Sequence, residues 1–218
     1  YADDRRPMMD PNRALAWDSI PSYGSLAGDT VYVAAVDRAG NAASLIHSVY
    51  GSFGAAVVAG RTGVLLQNRA AYFSLNRQSP NRLEPGKTPL HTLIASLAFR
   101  NDRLWCALGC MGADGQPQIH LQVYSALIDH GLGIQQALDM PRFLSGRFAI
   151  GEARDTLYIE GRFAPETIAE LARRGHVVER WEDWNERAGH AQGITFDAAT
   201  GRFAGGADPR SDGEAVGL

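Results

Sequence analysis

The feature that most constrains this chain is an abrupt change of character at Thr30. Residues 1–29 hold turn formers such as Asp10-Pro11-Asn12, Ile20-Pro21-Ser22 and Ser25-Leu26-Ala27-Gly28-Asp29, with little helix or strand periodicity, and read as a linker. From Thr30 onward the chain becomes apolar. Residues 30–36 are predicted as a strand, Asp37-Arg38-Ala39-Gly40-Asn41 as a turn and 42–49 as a second strand. The two runs are apolar at successive positions, the pattern of a hairpin covered on both faces.

The rest alternates in kind. Short strands are expected at 55–58 and 64–66, and residues 74–90 form a long irregular loop, a segment type that is usually functional or mobile. A second hairpin covers 91–99 and 103–110 across Arg100-Asn101-Asp102. Ile119, Val123 and Leu127 recur at helical spacing, and Gly131 ends that helix. Helices are also expected at 134–140, stopping before Pro141, and at 165–174, with Pro165 in the first turn and Gly175 just past the end. Val177-Val178, 193–196 and 202–204 complete the strands, the last two joined by Asp197-Ala198-Ala199-Thr200-Gly201. Hairpins, then helices, then strands imply an α+β fold, an antiparallel sheet system faced by helices.

Composition excludes some partners. A formal charge of −3 over 218 residues gives no basic field for nucleic acid. No apolar run reaches the roughly 18 residues of a membrane span. Tyr1 stands where an initiator would, so an upstream region is expected. Cys106 and Cys110, four apart on one strand, read as buried apolar residues rather than a disulfide. His47, His120, His130, His176 and His190 show no metal-ligand spacing, so no metal and no cofactor are expected. Trp181, Trp184 and Phe163 read as core or interface, and Asp208-Pro209-Arg210 as a turn with a salt bridge. Gly112–Gly115 lacks the Lys-Ser/Thr of a phosphate loop.

The junction at Thr30 also carries a chemical possibility. Cleavage before it would free an α-amine on the residue that bears the hydroxyl. Such an amine, with a pKa of about 7.7–8.0, can take the hydroxyl proton near neutrality. Taken alone, a threonine opening a strand is ordinary.

The surroundings give it meaning. The stretch Gly28-Asp29-Thr30-Val31-Tyr32-Val33-Ala34-Ala35-Val36-Asp37-Arg38-Ala39-Gly40-Asn41-Ala42-Ala43-Ser44 resembles the start of the small subunit in the gamma-glutamyltranspeptidase family. Further matches follow in family order: Phe53-Gly54, Gly63-Val64-Leu65-Leu66-Gln67-Asn68, Pro85-Gly86-Lys87 and His91-Thr92. Then come Gly109-Cys110-Met111-Gly112-Ala113-Asp114-Gly115-Gln116-Pro117-Gln118, Ala137-Leu138-Asp139-Met140-Pro141-Arg142-Phe143 and Gly205-Gly206-Ala207-Asp208-Pro209-Arg210-Ser211-Asp212-Gly213.

The resemblance implies a four-layer αββα fold of the N-terminal-nucleophile hydrolases, part of it supplied by a large subunit from the same precursor. It divides the chain into residues 1–29, the end of that large subunit, and 30–218, the catalytic small-subunit region. A heterodimer, or a dimer of heterodimers, is the expected assembly, with a small-molecule amide as substrate. Self-cleavage would fall between Asp29 and Thr30. Thr30 would be the nucleophile, Ser48 the hydroxyl beside it, and the backbone N–H groups of Gly112 and Ala113 the oxyanion hole, each donor worth about 100- to 1,000-fold in rate.

The implied substrate pocket comprises Tyr50, Asn68, Arg69, Tyr72, His91 and Thr92. It departs from true transpeptidases, because Tyr72 falls where an acid would hold a glutamyl amine, Tyr50 replaces an asparagine and His91-Thr92 replace two serines. Arg69 adds a cation. The expected substrate is therefore not a γ-glutamyl compound but an oxamate-like small amide or an acyl amide. Genuine γ-glutamyl transfer and a non-catalytic scaffold are the alternatives.

Overall fold

A computed structural model describes residues 29–148 and 154–217. The expectation for the linker, residues 1–28, lies outside the described residues. The hairpin at Thr30 forms as read: β1 (Asp29–Val36) pairs antiparallel with β2 (Ala42–Tyr50). Its turn is closed by the Asp37 carboxylate, which accepts from the N–H groups of Ala39 and Asn41 at 2.9 Å each.

A second, four-stranded sheet runs β3 (Ala95–Arg100), β4 (Arg103–Met111), β8 (His190–Asp197), β9 (Arg202–Ala207), all antiparallel. The predicted strand from His91 begins only at Ala95. The hairpin stacks on this sheet, with β1 against β4 and β8, and β2 against β3 and β4. The strands close tightly where a Cβ at Gly109 would overlap the ring of Tyr32. On the other face of β4, β8 and β9 lie α1 (Gln116–Ile128) and α2 (Ile134–Asp139). Leu108, Cys110, Ile119, Val123, Ile134 and Leu138 interlock between them as the main core. Burial of this kind contributes about 25 cal/mol per Å² of apolar surface. Cys106 and Cys110 are both free and buried, and burial pushes each thiol pKa up to about 12.

Three layers are thus present in the described residues: hairpin sheet, central sheet, helices. The expectation of a hairpin covered on both sides meets a one-sided burial here. Tyr32 faces the central sheet at 4% exposure, whereas Val31, Val33 and Leu45 on the outer face are 58%, 56% and 61% exposed.

Of a third sheet only the strand at Val177-Val178 was read from the sequence. The sheet joins β5 (Phe143–Ser145) antiparallel to β6 (Thr156–Ile159), and β6 parallel to β7 (Val177–Arg180) through α3 (Pro165–Arg173). The expectation of purely antiparallel pairing is corrected at that crossover. Strands of three and four residues are too short to show an alternating pattern. Segments 55–58 and 64–66 form a bridge, Val58 to Leu65, rather than regular strands. The positive φ of Ala56, +54°, turns the chain before a ladder can extend.

Candidate active site

The hairpin register carries the first pair. Every partner from Val36 and Ala42 down to Thr30 and Ser48 keeps one register, so Thr30 and Ser48 point to the same face and meet directly. Thr30 Oγ1 and Ser48 Oγ are 2.6 Å apart. The register then slips: Asp29 pairs with Tyr50, leaving Val49 as the extra residue of a bulge at the Asp29–Thr30 junction. Tyr50 sits at φ +75°, a left-handed conformation that costs a residue with a Cβ of order 1 kcal/mol.

Proton roles follow from counting. Ser48 Oγ accepts from the Tyr50 N–H at 3.1 Å and from Arg69 Nη2 at 2.7 Å. A hydroxyl has two lone pairs and one proton. With both lone pairs engaged, Ser48 donates to Thr30 Oγ1. The Thr30 oxygen therefore receives a hydrogen bond that strengthens as negative charge develops on it, and its own proton is left to transfer elsewhere.

Arg69 opens a 3₁₀ turn, Arg69–Tyr72, and is only 7% exposed. Its guanidinium lies 5.4 Å from the Tyr50 ring centroid. Burial lowers its pKa, yet a guanidinium stays charged at any physiological pH. No carboxylate pairs with it among the described residues, and its Nη1 has no hydrogen-bond partner.

Tyr72 and Tyr50 face each other, ring centroids 5.0 Å apart. The Tyr72 hydroxyl donates to Asp114 Oδ1 at 2.5 Å, and Arg147 Nε holds the other carboxylate oxygen at 2.5 Å. Burial first, and the Asp114 carboxylate second, raise the phenol pKa, so Tyr72 remains a neutral donor. This clasp ties Tyr72 to the turn that follows β4, where Gly115 N–H donates to the Gly112 carbonyl at 2.8 Å. A Cβ at Gly112 would meet Ile119 Cδ1, the movable end of a core side chain that would have to shift to make room. Ala113 adopts φ +44°, a second strained non-glycine residue at the site. Among the described residues, no hydrogen bond is made by the N–H of Gly112 or Ala113.

The structure thus brings together Thr30, Ser48, Tyr50, Arg69 and Tyr72, and links Gly112–Ala113 to them through Asp114. Asn68 is placed differently: its Oδ1 accepts from Gly51 N–H at 3.0 Å, pinning the loop beside the bulge. His91 is exposed and Thr92 half-buried, and neither side chain makes a hydrogen bond or ion pair with a described residue. Sequence reasoning missed Asp114 and Arg147. The only available signal for Asp114 was its place in Gly112-Ala113-Asp114-Gly115. Two clefts, of about 500 and 570 Å³, lie elsewhere, one beside Trp105 and Phe196, the other along α1 beside Tyr124 and Phe163. No group of His, Cys, Asp or Glu among the described residues could hold a metal.

Known proteins share this arrangement of chain. The gamma-glutamyltranspeptidase family model matches residues 1–218. The chain is 40% identical over 216 residues to the glutathione hydrolase-like YwrD proenzyme of Bacillus subtilis, covering 99% of this chain and 41% of that protein. It is 44% identical over 194 residues to the oxamate amidohydrolase proenzyme of Klebsiella pneumoniae, covering 89% and 36%. The structure superposes on a cephalosporin acylase from Bacillus halodurans with a TM-score of 0.77 at 37% identity, over 98% of this chain and 37% of that one. The chain therefore spans about two-fifths of the length of the curated relatives it matches, and its α+β architecture is that of N-terminal-nucleophile hydrolases. By family match and by identity, this chain belongs to the gamma-glutamyltranspeptidase family.

Proposed function

We propose that the protein containing this chain is a self-processing amidohydrolase in which Thr30 is the nucleophile. The observation that carries the reading is the hydroxyl chain from Arg69 through Ser48 to Thr30 Oγ1, with contacts of 2.7 and 2.6 Å, at the head of a strand whose preceding junction is bulged. In the first stage the Thr30 hydroxyl attacks the Asp29 carbonyl, the acyl group shifts from nitrogen to oxygen, and water releases the ester. Thr30 then carries a free α-amine. In the second stage that amine takes the hydroxyl proton as Oγ1 attacks a substrate amide. The N–H groups of Gly112 and Ala113 receive the oxyanion. The leaving amine departs with the proton, and water resolves the acyl-enzyme.

The substrate is an amide other than a γ-glutamyl one. A glutamyl α-amine needs a carboxylate, and the residue at that point is Tyr72, its hydroxyl committed to an Asp114 already neutralised by Arg147. Acylase and oxamate amidohydrolase relatives agree with a small amide or acyl amide as substrate. A large subunit from the same precursor covers the outer face of the hairpin, where Val31, Val33 and Leu45 otherwise meet water.

Mass spectrometry of the full-length protein tests this reading. Two fragments split before Thr30 are expected in the parent, and one intact chain without hydrolase activity in Thr30→Ala. A parent that never cleaves would support a scaffold instead. Turnover of γ-glutamyl anilide above oxamate and glutaryl amides would restore the glutamyl reading.

A further inference from the structure

The turn that follows β4 holds a charge at odds with the chemistry proposed for it. Asp114 comes directly after Ala113, so a carboxylate stands beside the N–H groups that would receive an oxyanion. An anion disfavours a second negative charge nearby, and partial burial strengthens the repulsion. The Asp114 side chain is only 15% exposed.

Arg147 answers that charge. Its Nε lies 2.5 Å from Asp114 Oδ2, and among the described residues it is the one cation in ion-pair contact with Asp114. The next carbonyl in the chain, that of Phe148, accepts from the Asp114 N–H at 2.9 Å. Tyr72 donates to the other carboxylate oxygen, but a phenol brings a hydrogen bond without a compensating charge.

The segment that delivers Arg147 is fixed by the helix that starts at the same turn. From α1, the Gln122 amide exchanges two hydrogen bonds with the Phe143 main chain, at 2.9 and 3.1 Å. Gln118 does the same with the Ser145 main chain, at 2.9 Å each. Gly146 N–H then donates to the Thr156 carbonyl at 2.8 Å. Leu144 is fully buried against the turn, where a Cβ at Gly115 would meet its methyl groups at 2.9 Å. Side-chain amides that pair main-chain groups act as a strand partner would, so β5 runs in one register along α1 and Arg147 arrives at one place.

Resting on Thr30 as nucleophile and Gly112 and Ala113 as oxyanion donors, we infer that Arg147 is a positioning residue of the reaction. It neutralises Asp114, so that a turn anchored by a carboxylate can still present its donors to a developing negative charge. Asp114 supplies the anchor, bound to Tyr72, Arg147 and the Phe148 carbonyl, beside Ala113 at φ +44°. Arg147 removes the electrostatic cost of that anchor and acts through Asp114 rather than on the substrate.

The experiment uses the processed full-length enzyme, with p-nitrophenyl acetate and oxamate as probes. The proteins are the parent, Arg147→Gln, Arg147→Lys, Asp114→Asn and the double variant Asp114→Asn/Arg147→Gln. Mass spectrometry gives the processed fraction to which each rate is referred. In Arg147→Gln a bare carboxylate faces the oxyanion, and kcat falls about 10- to 100-fold with KM nearly unchanged, part of what one oxyanion donor supplies. Arg147→Lys keeps the charge and most of kcat. The double variant, with the carboxylate gone, is faster than Arg147→Gln although both partners are lost. That sign marks an electrostatic role, since a purely structural loss would make the double variant the slower of the two. Should Arg147→Gln not fold, Asp114→Asn decides: it leaves no anion beside the donors, and kcat stays within about threefold of the parent. A larger loss there would overturn the inference. So would an unchanged kcat in Arg147→Gln, a change confined to KM, or a double variant slower than the single one. The two readings fail separately. If p-nitrophenyl acetate leaves no acyl group on Thr30 of the parent, the nucleophile assignment falls and this inference falls with it. If Thr30 is acylated and Arg147→Gln behaves as the parent does, only the inference falls.

Discussion

Arg142 and Arg210 lie as deep in this chain as Arg69, at 1%, 8% and 7% exposure, yet their surroundings differ in kind. Arg142 Nη1 meets Asp208 Oδ2 at 2.6 Å and the carbonyls of Ala188 and Gly189, while Nη2 donates to the Leu138 carbonyl. Arg210 meets Glu160 Oε2 at 2.5 Å and Asp208 Oδ1 at 2.9 Å. With Arg162 Nη2 also 3.1 Å from Glu160 Oε2, three cations face two carboxylates, and of the guanidinium nitrogens of Arg142 and Arg210 only Arg142 Nε lacks an acceptor. Arg69 has a phenol ring, a serine and an unpartnered nitrogen. The first set is complete within the fold and joins α2, β5, β6 and the segment after β9. In the second, no carboxylate among the described residues supplies a counter-charge. Charge compensation therefore separates a buried ion network that holds the structure from a buried cation beside the hydroxyls of Ser48 and Thr30.

Asp208→Asn breaks the first set and gives the largest expected effect. It leaves Arg142 without its counter-ion and weakens the acceptor for Ala191 N–H, which now donates to Asp208 Oδ2 at 2.9 Å. Removing one partner of a buried pair costs about 3–5 kcal/mol. Urea unfolding of the full-length protein should show a loss of that size. A loss below about 1 kcal/mol would mean that the network is solvated and the contrast with Arg69 is false.

Tyr72→Phe comes next, because it cuts the clasp between Tyr72 and the Gly112–Ala113 turn that we propose receives the oxyanion. Asp114 keeps Arg147 but loses its phenol donor, and a hydrogen bond to a charged group is worth about 1.5–3 kcal/mol. The larger signature is kinetic. With Ala113 at φ +44° no longer braced, kcat should fall about tenfold with KM nearly unchanged, since an oxyanion donor acts on the transition state. A rise in KM at constant kcat would place Tyr72 in substrate binding instead.

Legibility in the sequence followed the range of the interactions. The hairpin itself could be read because a five-residue turn, 37–41, separates two apolar runs, whereas Ser48 beside Thr30 was implied only by resemblance and is explained by the register. Helices α1, α2 and α3 announced themselves by spacing, Pro165 and Gly175, the last at φ +95°. Arg69 could be placed near the site only by resemblance, and its bond to Ser48 depends on a loop of irregular backbone from 51 to 68 that no periodicity describes. Asp114 and Arg147 meet across 33 residues, and Arg210 and Glu160 across 50, so both lie beyond any local signal. The Asp208-Pro209-Arg210 turn with its salt bridge was readable because both charges sit two residues apart. Its partners Arg142 and Glu160 were not.

Arg69→Met sharpens the comparison by its sign. Deleting an uncompensated buried cation for an apolar side chain of similar length should leave stability unchanged or raise it by about 1 kcal/mol, while hydrolysis is lost. Calorimetry of parent and variant, with a hydrolase assay of each, checks both halves. A variant destabilised by several kcal/mol would show that Arg69 belongs with Arg142 and Arg210, as structure.

The smallest effect concerns a buried base without a charge to meet. His120 Nδ1 lies 3.0 Å from the Gln116 carbonyl, an acceptor only, so Nδ1 carries the proton and Nε2 is a bare acceptor with no described partner. Protonating Nε2 would bury a charge close to Arg142, a cost that outweighs the help of the Gln116 and Leu108 carbonyls. Burial is the main cause that holds its pKa below the ordinary 6.5, and Arg142 adds to it. Because the folded value is the lower one, unfolding takes up a proton as pH falls. The stability from a neutral His120 is complete above about pH 6.5 and declines as pH drops toward the folded pKa. Between pH 7 and pH 5 the parent should lose more stability than His120→Gln, measured by urea midpoints at both values. His190, also lowered mainly by burial, adds a parallel slope that the substitution at 120 leaves in place. Equal slopes in the two proteins would show that His120 titrates alike in the folded and unfolded states, so that burial does not hold its ring neutral.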